Sequence, residues 1–375
     1  MLKTQFQPFE MERFMSVYEM AVDYNLSESG VHPMLLRELL ALEEGSLEKM
    51  LEVELNYSHA NGNPELRENI AAMYHGATKE NVLVTVGAIE ANFNALTTIL
   101  SAGEEMVLML PNYMQVWGVA KNHGIKIKTF SLDQEKNWAP DLDALERIVS
   151  QDTRLIAICN PNNPTGYILT EPEMDAIVKM ADGVGAWILA DEVYAGAEQV
   201  TDIQTPSFYG RYEKVIAVGS MSKAYGLPGL RTGWAVGPAD MIDQIWARHE
   251  YTTLSAAMLS NTLAALALSE TVRPRIIQRT RDYIRKGYPL LVDWMESHGD
   301  LFSAVQPQAA AIAFLQYKMD INSTDFVMKL LKEKSVLIIP GDHFGMDGYL
   351  RISYGLPQDY LMGGLTRISE LIAEL

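Results

Sequence analysis

The 375-residue sequence has a single cysteine, Cys159. It therefore has no internal disulfide framework, which suits a reducing compartment. Basic residues are also scarce: 30 Lys and Arg stand against 48 Asp and Glu, for a net charge of −18. No run of Lys and Arg offsets that balance, so neither nucleic acid nor an anionic membrane is an expected partner. No apolar run reaches membrane-spanning length. The opening residues, MLKTQFQPFEMERFM, lack the basic and apolar regions of a signal peptide, and the expected location is the cytoplasm. The seven histidines are scattered. His249-Glu250 begins a zincin pattern that Thr253 breaks, so no metal site is expected.

What is present fits a globular enzyme. Hydrophobic content of 48% supports a large core, and the length predicts two domains. Short apolar runs alternate with helical patterns through the middle of the chain. Val82 to Val86, Met106 to Leu110, Lys126 to Phe130, Leu155 to Cys159, Trp187 to Ala190 and Val215 to Val218 read as strands. Runs buried on both faces predict an α/β fold with a mostly parallel central sheet flanked by helices. A long helical pattern from about Ala239 into the 290s follows. Strands at Ala310 to Tyr317 and Val336 to Ile339 and a final helix from about Pro357 predict a smaller α+β domain. The expected division is residues 45–270 against residues 1–44 with 271–375.

Polar, turn-forming segments follow the strands, at the edge where open α/β sheets bind ligands. Val86-Gly-Ala-Ile-Glu-Ala-Asn92 joins a strand to a helix, whose free N–H groups can receive an anion. A plain strand-to-helix turn accounts for the same residues. Asn160-Pro-Asn-Asn-Pro-Thr-Gly166 carries two X-Pro steps that read as an extended loop suited to holding a ligand. Asp191 ends the apolar run Trp187 to Ala190, where a carboxylate needs a partner or caps the next turn. In SMSKAYGLPGLRTGW, Lys223 stands between hydroxyls, with Arg231 downstream. Ser220-Met-Ser-Lys223 formally matches S-x-x-K, but the Ser-Asp-Asn and Lys-Thr-Gly of serine β-lactamases are absent. A lysine nucleophile beside phosphate ligands remains.

In order and spacing, G-A-x-E-A, P-N-Y, N-P-N-N-P-T-G, A-D-E-V-Y, S-x-S-K and R-I-S-Y-G resemble the class I/II aminotransferases across roughly residues 55 to 355. These are fold-type I enzymes that use pyridoxal 5′-phosphate (PLP). The resemblance implies that Lys223 forms a Schiff base with PLP and carries the proton at the substrate Cα. It makes Asp191 the partner of the pyridine nitrogen, and Tyr194 and Asn163 the donors to the ring oxygen. Tyr113 would stack on the ring. The phosphate would take the N–H groups of Ala88 and Ile89, with Ser220, Arg231 and Ser222. Tyr57 would reach the phosphate of a neighbouring subunit, implying a homodimer with shared active sites. Arg351, assisted by Asn163, would clamp the substrate α-carboxylate, which implies amino acid and 2-oxo acid substrates.

Two segments depart from the pattern. Where relatives carry a Gly-Glu-Pro loop, this chain has Ser27-Glu-Ser-Gly30, with Gly30 the matching backbone contact to substrate. Where dicarboxylate-specific relatives carry an arginine, it has Tyr251, and Arg248 is the nearest cation. The expected activity is amino-group transfer from an α-amino acid to a 2-oxo acid. Elimination, C–S lysis or cyclisation on the same scaffold is the alternative.

Overall fold

The computed structural model describes residues 6–375, so the first five residues of the N-terminal segment lie outside it. In chain order its strands are β1 (Tyr24–Asn25), β2 (Val82–Thr85), β3 (Glu105–Leu110), β4 (Lys126–Asp133), β5 (Ala139–Pro140), β6 (Thr153–Cys159), β7 (Trp187–Asp191), β8 (Val215–Ser220), β9 (Gly233–Val236), β10 (Phe302–Ser303), β11 (Ile312–Tyr317), β12 (Val336–Leu337), β13 (Ile339–Pro340) and β14 (Tyr349–Ser353). Eight of them form one sheet in the order β2-β9-β8-β7-β6-β3-β4-β5. The run β8-β7-β6-β3-β4 is parallel, whereas β9 pairs antiparallel with both β2 and β8. β2 therefore points the same way as β8. The carboxyl ends of β2, β3, β6, β7 and β8 and the amino end of β9 share one edge.

The central strands are buried along nearly their whole length. Helices cover both faces, which explains why these strands read as continuous apolar runs rather than alternating ones. A second sheet, β10-β11-β14-β13, is antiparallel. Its class and the α/β architecture match the expectation.

Three local expectations change. The helical pattern after Ala239 divides into helices Ala239–Thr252, Met258–Ala267 and Arg273–Glu296. Leu254 takes a left-handed φ of 66°, which no helix accommodates, and composition does not signal that break. The strand expected from Ala310 begins at Ile312, because Ala310 has φ 70°. Val336 to Ile339 divides between sheets. Val336 and Leu337 pair with Tyr24 and Asn25, whereas Ile339 pairs with Arg351. That switch ties the N-terminal segment to the C-terminal third. No helix among the described residues is long and apolar enough to cross a membrane.

Candidate functional site

The shared strand edge opens on a cavity of about 310 Å³. Ala88 and Ile89 reach it from the turn after β2, Tyr113 from the turn after β3, and Asn163 from the loop after β6. Asp191 comes from the end of β7, Tyr194 just beyond it, and Ser220, Ser222 and Lys223 from the end of β8. Arg231 arrives ahead of β9, and Arg351 comes from β14 of the second sheet. These eleven candidates converge although they span 264 positions, from Ala88 to Arg351.

One end of the cavity is built for an anion. Helix Ala88–Ile99 begins there after Gly87, whose φ of 77° lets the chain turn without a side chain. A Cβ on Gly87 would lie 2.9 Å from Arg231 Nη2, so the guanidinium sits directly against the helix start. A Cβ on Gly233 would lie 2.3 Å from the Ala88 nitrogen, so β9 packs against the same turn only as glycine. Arg231 Nη1 donates to the Pro228 carbonyl at 3.1 Å and lies 3.4 Å from Ser222 Oγ. Ser220 Oγ accepts from the Ser222 N–H at 3.0 Å. A guanidinium, hydroxyls and free helix N–H groups together suit a phosphate.

A buried network holds this turn. Glu90 accepts from the Val86 N–H at 2.6 Å, His249 Nδ1 at 2.9 Å and Thr253 Oγ1 at 2.7 Å, and also bonds Thr252. His249 Nε2 faces the Ala60 carbonyl at 3.0 Å, so both ring nitrogens meet acceptor oxygens. Burial alone would raise the Glu90 carboxyl, but these hydrogen bonds hold it down, at about 2 rather than 4.5. A depressed folded-state value means that stability is present above about pH 4.5 and lost as pH falls toward 2. Glu90→Gln should cost about 3 kcal/mol at pH 7 and flatten this acid dependence. Chemical denaturation of both proteins between pH 2 and 7 checks it, and parallel curves would refute it.

The middle of the cavity holds a buried carboxyl. Asp191 is 9% exposed. Its Oδ2 accepts from Asn92 Nδ2 at 2.9 Å, and its Oδ1 from the Val193 N–H at 3.3 Å. Burial pushes its carboxyl up, and the Asn92 and Val193 donors and the Lys223 charge only partly oppose that. Tyr194 donates to Ser29 Oγ at 2.8 Å. Tyr113 donates to Glu12 at 2.6 Å and packs edge-on against Phe9. Lys223 Nζ lies 3.8 Å from Glu28 Oε2.

Arg351 is 2% exposed and bridges three parts of the chain. Nη2 donates to the Ser27 carbonyl at 2.6 Å and Nη1 to Asn163 Oδ1 at 3.0 Å. Its Nε has no partner in the structure, an uncompensated buried donor beside an open cavity. Asn163 lies in the Asn160–Gly166 loop, both of whose X-Pro bonds are cis rather than simple extended steps.

Two candidates lie outside this cavity. Tyr57 is 82% exposed, and Gly30 packs against the Ser222 carbonyl while its neighbours Glu28 and Ser29 face the cavity. Gly30 is therefore displaced as a lining residue by the two residues before it. Arg248, the cation nearest Tyr251 in sequence, donates to the Thr97 and Gln244 carbonyls and does not line the cavity. Sequence reasoning missed Met11, Glu12, Met15 and Glu19, which close one wall from helix Glu10–Tyr18 and the residue after it. It also passed over Asn92, although that residue ends a segment singled out for its glycine.

The family model for aminotransferase class I and II matches residues 38–368. Capreomycidine synthase of Streptomyces vinaceus is 29% identical over 352 residues, which cover 92% of this chain and 89% of that protein. The crystal structure of a PLP-dependent aminotransferase from Streptococcus suis 89-1591 superposes with a TM-score of 0.92 at 30% identity, over 99% of this chain and 98% of that one. The structure of the PLP-dependent cyclase OrfR gives a TM-score of 0.87 at 25% identity, over 98% and 97%. Fold, strand-end motifs and family match agree: this chain belongs to the class I and II aminotransferases, and its cofactor is pyridoxal 5′-phosphate.

Proposed function

We propose that the chain transfers the amino group of an α-amino acid to a 2-oxo acid. One observation carries the reading: Lys223, Asp191 and Arg351 line the same cavity as an anion-binding helix start. The residues fit the cofactor. Asp191 is a buried carboxyl raised by burial, which a protonated pyridine nitrogen would neutralise. Arg231, Ser220, Ser222 and the N–H groups of Ala88 and Ile89 would hold the phosphate. Tyr113 would cover a ring face, and Asn163 and Tyr194 would face the ring oxygen. Tyr194 now donates to Ser29, so it would have to exchange that partner.

When bound, pyridoxal phosphate supplies an electron sink for the pair left at the substrate Cα. Arg351 binds the α-carboxylate through its unpaired Nε, and Asn163 steadies the guanidinium. Lys223 would give up its place to the substrate amine and take the proton from Cα. For transfer, Lys223 would return that proton on the far side of the substrate nitrogen, on the cofactor carbon. The homodimer belongs to this proposal: Tyr57, exposed in one subunit, would reach the phosphate of the other. So do the division into residues 45–270 and 1–44 with 271–375, supported by the β1–β12 pairing, and a cytoplasmic location.

Elimination or cyclisation is the second reading, supported by relatives named as a capreomycidine synthase and a PLP-dependent cyclase. It needs the same proton removal and differs only in what leaves the substrate. The loaded enzyme given one amino acid and no 2-oxo acid separates the two. Transfer stops after one equivalent of 2-oxo acid product per subunit. Elimination or cyclisation runs on without an acceptor and would overturn the transfer reading.

A further inference from the structure

The wall opposite the sheet edge carries three carboxylates. Glu12, Glu19 and Glu28 all line the cavity, and all are only partly buried. Between them Met11 and Met15 present buried apolar surface to the same space. An acid excess spread over the protein surface does not require three acids in one cavity. Glu19 also registers the crowding: burial, and then the charges of Glu28 and Glu12, raise its carboxyl, with Lys223 acting the other way.

The cavity cations offset this wall only in part. Among the described residues they are Lys223, Arg231 and Arg351. Arg231 lies at the helix start, against Gly87 and Ser222. Arg351 is committed to Ser27 and Asn163, with its free Nε buried. Lys223 comes closest to the wall, 3.8 Å from Glu28, and its amine is the group that the cofactor engages, whereas Arg351 feels the Glu28 and Glu12 charges while bonded elsewhere. In the loaded enzyme that amine is engaged first by the cofactor and then by the Cα proton, so it does not serve Glu28 as a standing counter-charge. Among the described residues, no cation lining the cavity is then left for an acidic side chain of the substrate.

The unpaired Arg351 Nε is an independent sign of a ligand, and of its anionic end. We infer that the substrate is a basic α-amino acid: its carboxylate meets Arg351, its methylene stem lies along Met11 and Met15, and its terminal ammonium, amidinium or guanidinium meets Glu19, Glu28 and Glu12. Glu12 already accepts from Tyr113, so its free oxygen and the two other carboxylates form the cation's seat. This inference rests on the amino-acid reading above and narrows it to one charge class.

Charge can be tested apart from shape. L-arginine and L-citrulline are nearly isosteric and differ in the charge of the terminal group, and L-lysine and L-norleucine make a second pair. Each is titrated into the loaded protein, with dissociation constants read from calorimetry and from the visible spectrum. The charged member of each pair should bind about tenfold tighter, the equivalent of one partly desolvated ion pair. Glu19→Gln and, separately, Glu28→Gln should move the charged-to-neutral ratio toward one. Equal or tighter binding of the neutral members, tightest binding of L-glutamate, or unchanged ratios in both variants would overturn the inference and leave the amino-acid reading standing. If none of these amino acids binds while the cofactor remains bound, the amino-acid reading fails, and this inference with it.

Discussion

Lys223→Ala should abolish turnover and leave the fold intact. The native side chain is 27% exposed, and its nearest charged partner, Glu28, is 3.8 Å away. A pair that open contributes at most about 1 kcal/mol, so the melting temperature should barely move. The catalytic loss is of another order. A positioned proton carrier contributes roughly 10²–10⁴-fold, and loss of the covalent attachment adds to that. A fall of at least about 10⁴-fold in kcat is expected. With added pyridoxal phosphate, borohydride should no longer fix the cofactor covalently to the chain. Lys223→Arg keeps a cation near Glu28 yet cannot form the imine, so it should fail as completely. Turnover within tenfold of the native rate in either variant would refute the assignment of Lys223.

The two variants also isolate what the surrounding residues do alone. The proposed anion seat is formed by Gly87, Gly233, Arg231 and the helix start, none of which depends on Lys223. Phosphate binding should therefore survive the loss of the lysine, and pyridoxal phosphate should still bind, though reversibly. That separates the holding of the cofactor from its chemistry.

Much of the sheet edge was legible in sequence for a physical reason. A strand buried on both faces must be apolar throughout, so the polar residues that serve a ligand are pushed to its end. Asp191 after Trp187 to Ala190, and Lys223 after Val215 to Ser220, stand out by that contrast alone. The opposite wall carries no such contrast. Helix Glu10–Tyr18 reads as an ordinary amphipathic segment, and nothing local says that Glu12 will meet Tyr113, 101 residues away. Ser29 and Tyr194 are 165 residues apart, and Asn163 and Arg351 are 188 apart. Such pairings are properties of the packed whole. The breaks at Leu254 and Ala310 were hidden differently: both take left-handed backbone without the glycine or asparagine that usually marks it.

Asp191→Asn should change stability and activity in opposite directions. A carboxyl raised in the folded state favours folding when it is protonated, below the unfolded value near 3.8. That contribution is lost as pH rises through the raised folded value. In the cofactor-free protein at neutral pH, the buried charge is therefore a cost that asparagine removes. The replacement has nearly the same shape and can keep its contacts. Asn92 Oδ1 has no partner, so that amide can turn to accept from the new Nδ2. The cofactor-free variant should melt higher than the native protein at pH 7, and the gap should close on acidification. The loaded enzyme should show the reverse. Without the carboxylate, the pyridine nitrogen loses its buried counter-charge, a change that costs about 3–5 kcal/mol when one partner of a buried pair is removed. At 1.36 kcal/mol per decade that is a fall of roughly 10²–10⁴-fold in kcat/KM. A variant that melts lower without cofactor and works as well with it would show that Asp191 merely caps the turn at Val193. The expected pairing, a more stable protein that barely works, identifies a carboxylate kept at the fold's expense for a cation that the cofactor brings and that Lys223 only partly replaces.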